Sequence, residues 1–174
     1  MLIALNQANM NEVTYTYYRS PVGMLKIGAA ETYINQVSFI DNQDEYIEPS
    51  GNNALLNECT EELIEYFNGK RLSFDIPIYQ KGTDFQTKVW SELLNINFGK
   101  TISYMTLAKR LGDPNCIRAA AASNGKNHIC IIVPCHRVVG SNQQLVGYAG
   151  GLWRKNGCLN MKTKLQMVYK PCFK

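Results

Sequence analysis

The sequence predicts an α+β protein, in which a small antiparallel sheet precedes a mainly helical half that contains a helix-turn-helix. Two observations lead to this fold class. Strand-like segments are confined to the start of the chain, and amphipathic helical patterns dominate from residue 84 onward. With 174 residues and a hydrophobic content of 45%, the chain can bury a substantial core.

The predicted sheet consists of three segments rich in β-branched and aromatic residues, VTYTYY, MLKIGAA and NQVSFI. Short stretches that suit turns, SPVG and AETY, separate these segments. The next segment carries apolar residues at helical spacing, and Gly69 is suited to end that helix. The apolar residues are Leu55, Leu56, Cys59, Leu63, Ile64 and Phe67. We therefore expect an acidic helix that covers the sheet.

A domain boundary is predicted between residues 78 and 83. The stretch LSFDIPIYQKGT is typical of an extended connector, and Thr83 with Gln86 forms a capping-box pattern that starts a helix. Residues 1–83 carry five Lys/Arg and eleven Asp/Glu, whereas residues 84–174 carry thirteen and three. We predict domains at 1–80 and 81–174. The basic second half suits a polyanionic partner, or a solvated surface.

Three short helices are predicted in the second half, and the last two form a helix-turn-helix candidate. Their sequences are DFQTKVWSELLNI, SYMTLAKRLG and CIRAAAASNG. Between the last two, Gly112 suits a helix end and Asn115 suits a helix cap. The third helix has a smooth face from Ala119 to Ala122, with Arg118 at its start. Such a face can approach nucleic acid closely, or it can pack against a neighbouring helix.

Composition disfavours several classes of protein. The chain contains no run of eighteen apolar residues, and its start lacks a basic region and a small-residue cleavage site, so we expect a cytoplasmic protein that does not span a membrane. Its six cysteines include no C-x-x-C pair, which argues against a disulfide scaffold and a zinc knuckle. We expect reduced thiols and neither a metal nor a cofactor.

The segment IIVPCHRVVG places Cys135 beside His136, after Pro134 and a β-branched run. A thiol is a strong nucleophile at neutral pH only when a neighbour stabilises its anion or removes its proton. If the run is a strand, adjacent side chains point to opposite faces, so contact requires a bend or a bridging water. These residues alone leave a nucleophile and a buried structural thiol open, whereas the spacing matches no familiar zinc site.

Three longer segments, FGKTISYMTLAKRLG, IRAAAASNGKN and IIVPCHRVVGSNQQLVGYAGGLWRK, resemble the methylated-DNA-protein-cysteine methyltransferases, the family of O6-alkylguanine-DNA alkyltransferases. The resemblance covers residues 84–155 with its spacing intact. Upstream, YYRSPVGMLKIGAAETYINQVSF more loosely resembles the family's ribonuclease-H-like amino-terminal domain. The family resemblance implies a winged-helix-like second half and a monomer that binds double-stranded DNA.

The resemblance also implies a role for each matching residue. Cys135 would accept the alkyl group, His136 would act as its base through a water, and Asn127 would brace the active-site turn. Tyr104 would press on the phosphate 3′ to the lesion. Arg118 would replace the flipped guanine in the base stack, with the alanine-rich helix in the minor groove. The other implied DNA contacts are Ala119, Ala122, Ser123 and Ser141, and the implied guanine pocket consists of Pro134, Val138, Tyr148 and Ala149.

In the implied reaction, the sulfur of Cys135 displaces guanine from the alkyl carbon of O6-alkylguanine, and O4-methylthymine is a second implied substrate. Tyr104 would donate a hydrogen bond to the developing O6 anion. The thioether product has no good leaving group, so each molecule acts once. A non-catalytic lesion-binding protein of the same family is the alternative, although such proteins characteristically lack the cysteine. A transcription regulator is a weaker reading, because neither a separate sensor domain nor a metal-binding cysteine cluster is evident.

The chain departs from the family pattern after Lys155. Family members continue with a helix resembling E-W-L-L-x-H-E, whose final Glu holds the active-site histidine. Here the sequence is NGCLNMKTKLQ, with Lys162 at the position of that Glu and Gly157 where a helix former is expected. We therefore expect impaired support for His136, slower transfer, and an atypical tail at 156–174 that packs poorly.

A shifted reading frame would explain this departure. If residues 156–162 were encoded AAT-GGC-TGC-TTA-AAC-ATG-AAA after an AAG codon for Lys155, the frame one base back would read E-W-L-L-K-H-E. The hypothesis is that one base was lost from an A-run near that codon, and ordinary divergence is the alternative. Sequencing the gene tests the hypothesis, because codons that cannot give the second frame exclude it.

Overall fold

A computed structural model of the protein describes residues 13–41 and 53–168, with side chains as far as residue 161. Three strands, β1 (Thr14–Ser20), β2 (Gly23–Ala29) and β3 (Ile34–Phe39), form an antiparallel sheet in the order β1-β2-β3. Leu25, Ile27 and Val37 are fully buried on its inner face. The predicted amino-terminal sheet is therefore confirmed.

Helix α1 (Ala54–Phe67) covers this sheet, and its first turn is capped by the side chain of Asn53, which accepts a hydrogen bond from the backbone N–H of Leu55. The predicted apolar stripe is wrong at one position. Ile64 is 38% exposed, whereas Tyr66 is fully buried and packs against three phenylalanine rings, those of Phe67, Phe74 and Phe98. Contacts with Phe74 and Phe98, which lie outside the helix, turn Tyr66 toward the core. The helix sequence alone does not reveal these partners.

The connector after α1 runs along the free edge of β3. The N–H of Ile34 donates to the carbonyl of Pro77, and the N–H of Tyr79 donates to the carbonyl of Ile34, each at 2.9 Å. Helix α2 (Asp84–Leu94) then begins at the capping box predicted for Thr83 and Gln86. One hydrophobic core extends on both sides of the connector, so the sheet and the helical half are packed together.

The predicted helix-turn-helix is present as α3 (Tyr104–Arg110) and α4 (Ile117–Gly125). Gly112, with φ of +96°, lies just after α3 as expected. The predicted cap at Asn115 is wrong. The side chain of Asp113 accepts a hydrogen bond from the N–H of Asn115 at 2.8 Å, and a 3-10 turn at Pro114–Cys116 leads into α4. Proline favours the first position of a helical turn, so the residue before it becomes the cap.

The segment before Cys135 is not the strand considered in the sequence analysis. Residues 131 and 132 form a turn, Val133 forms an isolated bridge with Cys130, and a 3-10 turn at Cys135–Arg137 follows. Two short strands, β4 (Ile102–Ser103) and β5 (Val138–Val139), pair in parallel on the far side of that turn. The N–H of Val37 in β3 donates to the carbonyl of His128, and the N–H of Cys130 donates to that of Val37, each at 2.8 Å. The amino-terminal sheet therefore holds the beginning of the active-site segment.

The last helix of the described residues is α5 (Leu152–Val168), which continues through Gly157. Cys158 and Met161 are buried in the core, so the expectation of poor packing is wrong as far as residue 161. The side chain of Lys162 lies outside the described residues. None of the helices in residues 13–41 and 53–168 has the length and apolar character needed to cross a membrane.

Candidate active site

Cys135 lines a cavity of about 110 Å³ that lies between the sheet, α4 and the loop before α5. The walls come from different parts of the chain: Val37 and Phe39 belong to β3, whereas Tyr148 and Ala149 belong to the loop. Only 5% of Cys135 is exposed, and this burial raises the pKa of its thiol. The cavity therefore contains a protonated thiol at neutral pH.

Asn127 organises the turn that presents the thiol. Its side-chain Nδ2 donates to the carbonyl of Val133 at 2.9 Å and lies 3.1 Å from Sγ of Cys135. Its Oδ1 accepts from the N–H of Ile129 at 3.0 Å. Between these contacts, Ile131 has φ of +74°, a left-handed conformation that is strained for a β-branched residue. The predicted bracing position of Asn127 agrees with these hydrogen bonds.

Lys155 is a buried cation beside the thiol, and the sequence analysis missed it. None of its surface is exposed, and its Nζ donates to the carbonyls of Val146 at 2.6 Å and Gly147 at 3.3 Å. Desolvation lowers the pKa of Lys155, whereas the charge of its ammonium group acts to lower the pKa of Cys135. Lys155 ends the segment GGLWRK, but nothing in that sequence indicates that its side chain is buried.

His136 lines a second cavity, of about 170 Å³, together with residues that include Tyr66, Phe98 and Cys158. Only 1% of His136 is exposed. Burial, followed by the positive charges of Arg137 and Lys155, lowers the pKa of His136 to about 3. Within the described part of the chain, Nδ1 of this imidazole has no hydrogen-bond partner. The site therefore holds a neutral histidine at physiological pH.

Tyr104 and Asn124 form a second polar contact near the thiol. Tyr104 is the first residue of α3, and its hydroxyl accepts a hydrogen bond from Nδ2 of Asn124 at 3.4 Å. The same Nδ2 lies 3.3 Å from the carbonyl oxygen of Cys135. Burial, and then the proximity of Cys135, raise the pKa of Tyr104. The structure thus brings the predicted Tyr104 to the site and adds Asn124, which the sequence analysis did not single out.

The residues predicted to contact DNA do not all lie on the surface. Arg118, Ala119 and Ala122 are exposed on the outer face of α4, and Ser141 is exposed in the loop after β5. Ser123 is only 5% exposed, because the helical repeat turns it toward α2. Its carbonyl accepts a hydrogen bond from Nε1 of Trp90 at 2.9 Å. The burial of its side chain disfavours Ser123 as a DNA contact, which stays a prediction.

The structure brings two of the residues predicted for the guanine pocket to the Cys135 cavity. Tyr148 and Ala149 line the Cys135 cavity, but Pro134 lines a separate cavity near Phe74 and Ile132. Val138 is fully buried in β5, and its N–H donates to the carbonyl of Cys135. Both differences follow from the 3-10 turn, which directs Cys135 to one side of the segment and its neighbours to the other.

Comparisons with known proteins cover nearly all the described residues. The family model of the 6-O-methylguanine DNA methyltransferase DNA binding domain matches residues 84–163, and that of the ribonuclease-like domain matches residues 13–80. A methylated-DNA-protein-cysteine methyltransferase from Methanosarcina acetivorans is 36% identical over 151 residues, which are 85% of this chain and 97% of that protein. The constitutive enzyme of Bacillus subtilis is 39% identical over 143 residues, 78% of this chain and 86% of its own length.

Solved structures give the same result. The crystal structure of the Mycobacterium tuberculosis O6-methylguanine methyltransferase matches with a TM-score of 0.79 at 34% identity, covering 88% of this chain and 94% of that one. The M. tuberculosis OGT in complex with DNA matches with a TM-score of 0.78 at 34% identity, covering 86% and 93%. The α+β fold class and the family resemblance are therefore confirmed, and the chain belongs to the methylated-DNA-protein-cysteine methyltransferase family.

Proposed function

We propose that this protein repairs alkylated DNA by transferring the alkyl group of O6-alkylguanine, and of O4-methylthymine, to Sγ of Cys135. The observation that carries the proposal is the placement of this thiol in a cavity, 3.1 Å from Nδ2 of Asn127 and on a turn held in a strained conformation. A structural cysteine requires none of these features. The names of the similar proteins, methylated-DNA-protein-cysteine methyltransferases, support the same reaction.

In the proposed reaction, one bond forms and one breaks at the alkyl carbon. The Cys135 thiol loses its proton through a water to His136, the sulfur attacks the alkyl carbon, and the bond between that carbon and O6 of guanine breaks. The electron pair goes to O6, and the hydroxyl of Tyr104 stabilises the developing anion. The guanine anion then takes up a proton at N1, and the proton held by His136 is released to solvent, so the products are a thioether on Cys135 and an unmodified guanine. Since the thioether has no leaving group that water can displace, each molecule acts once.

The exposed face of α4 is the proposed DNA interface. Ala119 and Ala122 present small side chains to the solvent, which suits close approach to a minor groove, and Arg118 extends from the first turn of the same helix. An alkyl group on O6 is out of reach inside a duplex, so the base must leave the stack. Arg118 would occupy the space that the flipped guanine leaves.

We further propose that the protein works as a monomer in the cytoplasm. Each of the described cysteines is free, and the proposed reaction requires a reduced thiol, which fits a reducing compartment. A single chain contains Cys135, Asn127, Tyr104 and Arg118, so the reaction requires no residue from a second copy. Light scattering of the purified protein, alone and bound to a short duplex, measures the stoichiometry.

The test is a mass measurement after incubation with a duplex that contains one O6-methylguanine. The proposal predicts a covalent gain of one methyl group per protein molecule, located on the peptide that contains Cys135 and absent in Cys135→Ala. Cys116→Ala is a matched control, because Cys116 is a partly exposed thiol on the DNA-binding half that lies outside the cavity. Binding to the duplex without a gain in mass would instead favour a lesion-binding protein.

A further inference from the structure

We infer that Gln80 is a positioning residue for the reactive cysteine and that it acts through Asn127. This inference rests on the proposed role of Cys135 as the alkyl acceptor. Gln80 lies in the connector before α2, and its Nε2 donates to Oδ1 of Asn127 at 3.1 Å. Its Oε1 accepts from the backbone N–H of His128 at 2.9 Å. The half-buried side chain of Gln80 thus bonds both the side chain of Asn127 and the backbone of His128, the two residues that start the active-site segment.

The hydrogen bond from Gln80 adds to the contacts that fix which way the Asn127 amide points, beside that of Nδ2 with the carbonyl of Val133. The oxygen and the NH₂ group of an asparagine are similar in size, so only the partners decide its orientation. Oδ1 is met by two donors, the N–H of Ile129 and the Nε2 of Gln80. This leaves Nδ2 on the side of Cys135, 3.1 Å from Sγ. A reversed amide would instead place an acceptor oxygen against the sulfur, which would disfavour a thiolate.

The position of Gln80 is itself fixed by the amino-terminal sheet. Tyr79, the residue before it, donates its N–H to the carbonyl of Ile34 at the start of β3. Farther along the same strand, Val37 pairs with the segment around Ile129. The connector and the active-site segment therefore share one strand as their support, and Gln80 joins them where they meet.

The expected consequence is chemical as well as structural. The hydrogen bond from Asn127 acts to lower the pKa of the Cys135 thiol, against the raising effect of burial. The other groups around this thiol are Lys155, Tyr104, Cys130 and Cys158, and none of them contacts Gln80 among the described residues. A change confined to Gln80 thus reaches the thiol through the amide of Asn127.

Two substitutions separate the two hydrogen bonds of Gln80. Gln80→Glu keeps an acceptor for the N–H of His128 but removes the donor to Asn127, whereas Gln80→Met removes both. Gln36→Glu is the matched control, because Gln36 lines the same surface groove and bonds to Ser38 rather than to Asn127. The measured quantity is the rate at which iodoacetamide labels Cys135 between pH 6 and pH 10, followed on the Cys135 peptide by mass spectrometry. This reaction requires no DNA.

We expect Gln80→Glu and Gln80→Met to shift the labelling profile to higher pH and to slow labelling at pH 7.5 by roughly five- to tenfold, the effect of one hydrogen bond. Gln36→Glu should match the wild type. A wild-type profile for Gln80→Glu overturns the inference, even if Gln80→Met is slow, because the operative contact would then be the one to His128. An equal shift in Gln36→Glu also overturns it, since the effect would be general electrostatics.

Alkyl transfer from methylated duplex is measured in parallel on the same variants. If the wild type fails to transfer, the proposed function fails, while the labelling profiles still decide whether Gln80 positions the thiol. If the wild type transfers and Gln80→Glu is slowed by the same factor in both assays, the inference holds for the repair reaction. Thermal unfolding of each variant identifies any loss of labelling that comes from unfolding.

Discussion

Replacing Lys162 by Glu tests whether the weak point of this site is the support of His136. Position 162 follows Cys158 by one turn of α5, on the same face of the helix. Cys158 lines the cavity of about 170 Å³ beside His136. From the helical repeat alone we expect a carboxylate at this position to point toward the same cavity, where Nδ1 of the imidazole has no partner among the described residues.

The expected size of the effect follows from the pKa of His136. When His136 accepts a proton, it becomes an imidazolium. The drop of its pKa from 6.5 to about 3 disfavours that form by about 5 kcal/mol, at 1.36 kcal/mol per pKa unit. A hydrogen bond to a charged partner contributes about 1.5–3 kcal/mol. Since about 1.4 kcal/mol in the barrier changes a rate tenfold, we expect Lys162→Glu to accelerate alkyl transfer by roughly 10- to 100-fold.

The assay is single-turnover transfer from a duplex containing O6-methylguanine, quenched at intervals and read by intact mass. Lys162→Gln is the control, because it removes the cation without adding a carboxylate. An acceleration in Lys162→Glu alone supports the reasoning. Equal rates in wild type and Lys162→Glu, or equal gains in both variants, would refute it, since the histidine would then not depend on an acid at this position.

Three further predictions concern other residues of the site. Lys155→Met leaves two loop carbonyls without their donor, so the free energy of unfolding from urea titration should fall by about 1–3 kcal/mol. It also removes a positive charge that lowers the pKa of Cys135, so iodoacetamide should label this thiol more slowly at pH 7.5, as read from the peptide mass. Arg118→Ala should slow transfer from duplex DNA at least tenfold while leaving iodoacetamide labelling unchanged, since Arg118 is exposed on α4 and outside the Cys135 cavity. The folded-state pKa of His136 is about 3, below its ordinary 6.5, so the unfolded chain binds more protons between these values and stability should fall as pH drops below 6.5. For His136 this loss is about 2 kcal/mol between pH 7 and pH 5, and urea titrations of His136→Gln should lack it.

The sequence was sufficient for the features that depend on local patterns. β-Branched and aromatic content predicted the sheet, helical periodicity predicted the helices, and the Thr83–Gln86 spacing predicted a cap that the structure contains. The family resemblance named Cys135 and Asn127, and the structure places Nδ2 of Asn127 at 3.1 Å from Sγ of Cys135. These features are encoded within a few residues of one another, or in motifs whose spacing is intact.

The missed features depend on which parts of the chain meet in space. Lys155 is buried because its ammonium group finds two carbonyls of the preceding loop, and an isolated lysine in a sequence is ordinarily exposed. Ser123 is buried against α2, where Nε1 of Trp90 donates a hydrogen bond to its carbonyl. Gln80 lies in a connector, 47 positions from its partner Asn127. Neither periodicity nor a local motif predicts contacts between residues so far apart in the sequence.

The departure at Lys162 affects the two halves of the site unequally. The thiolate of Cys135 is stabilised by Asn127 and by the charge of Lys155, and both groups are in place without any acid on α5. His136 lines the other cavity, and burial and the positive charges around it disfavour its cationic form. The loss of a carboxylate therefore weakens the step that removes the proton and leaves intact the groups that hold the anion. On this basis the chain retains the capacity for alkyl transfer, and its rate should rise with pH because hydroxide can replace the proton acceptor that His136 provides poorly.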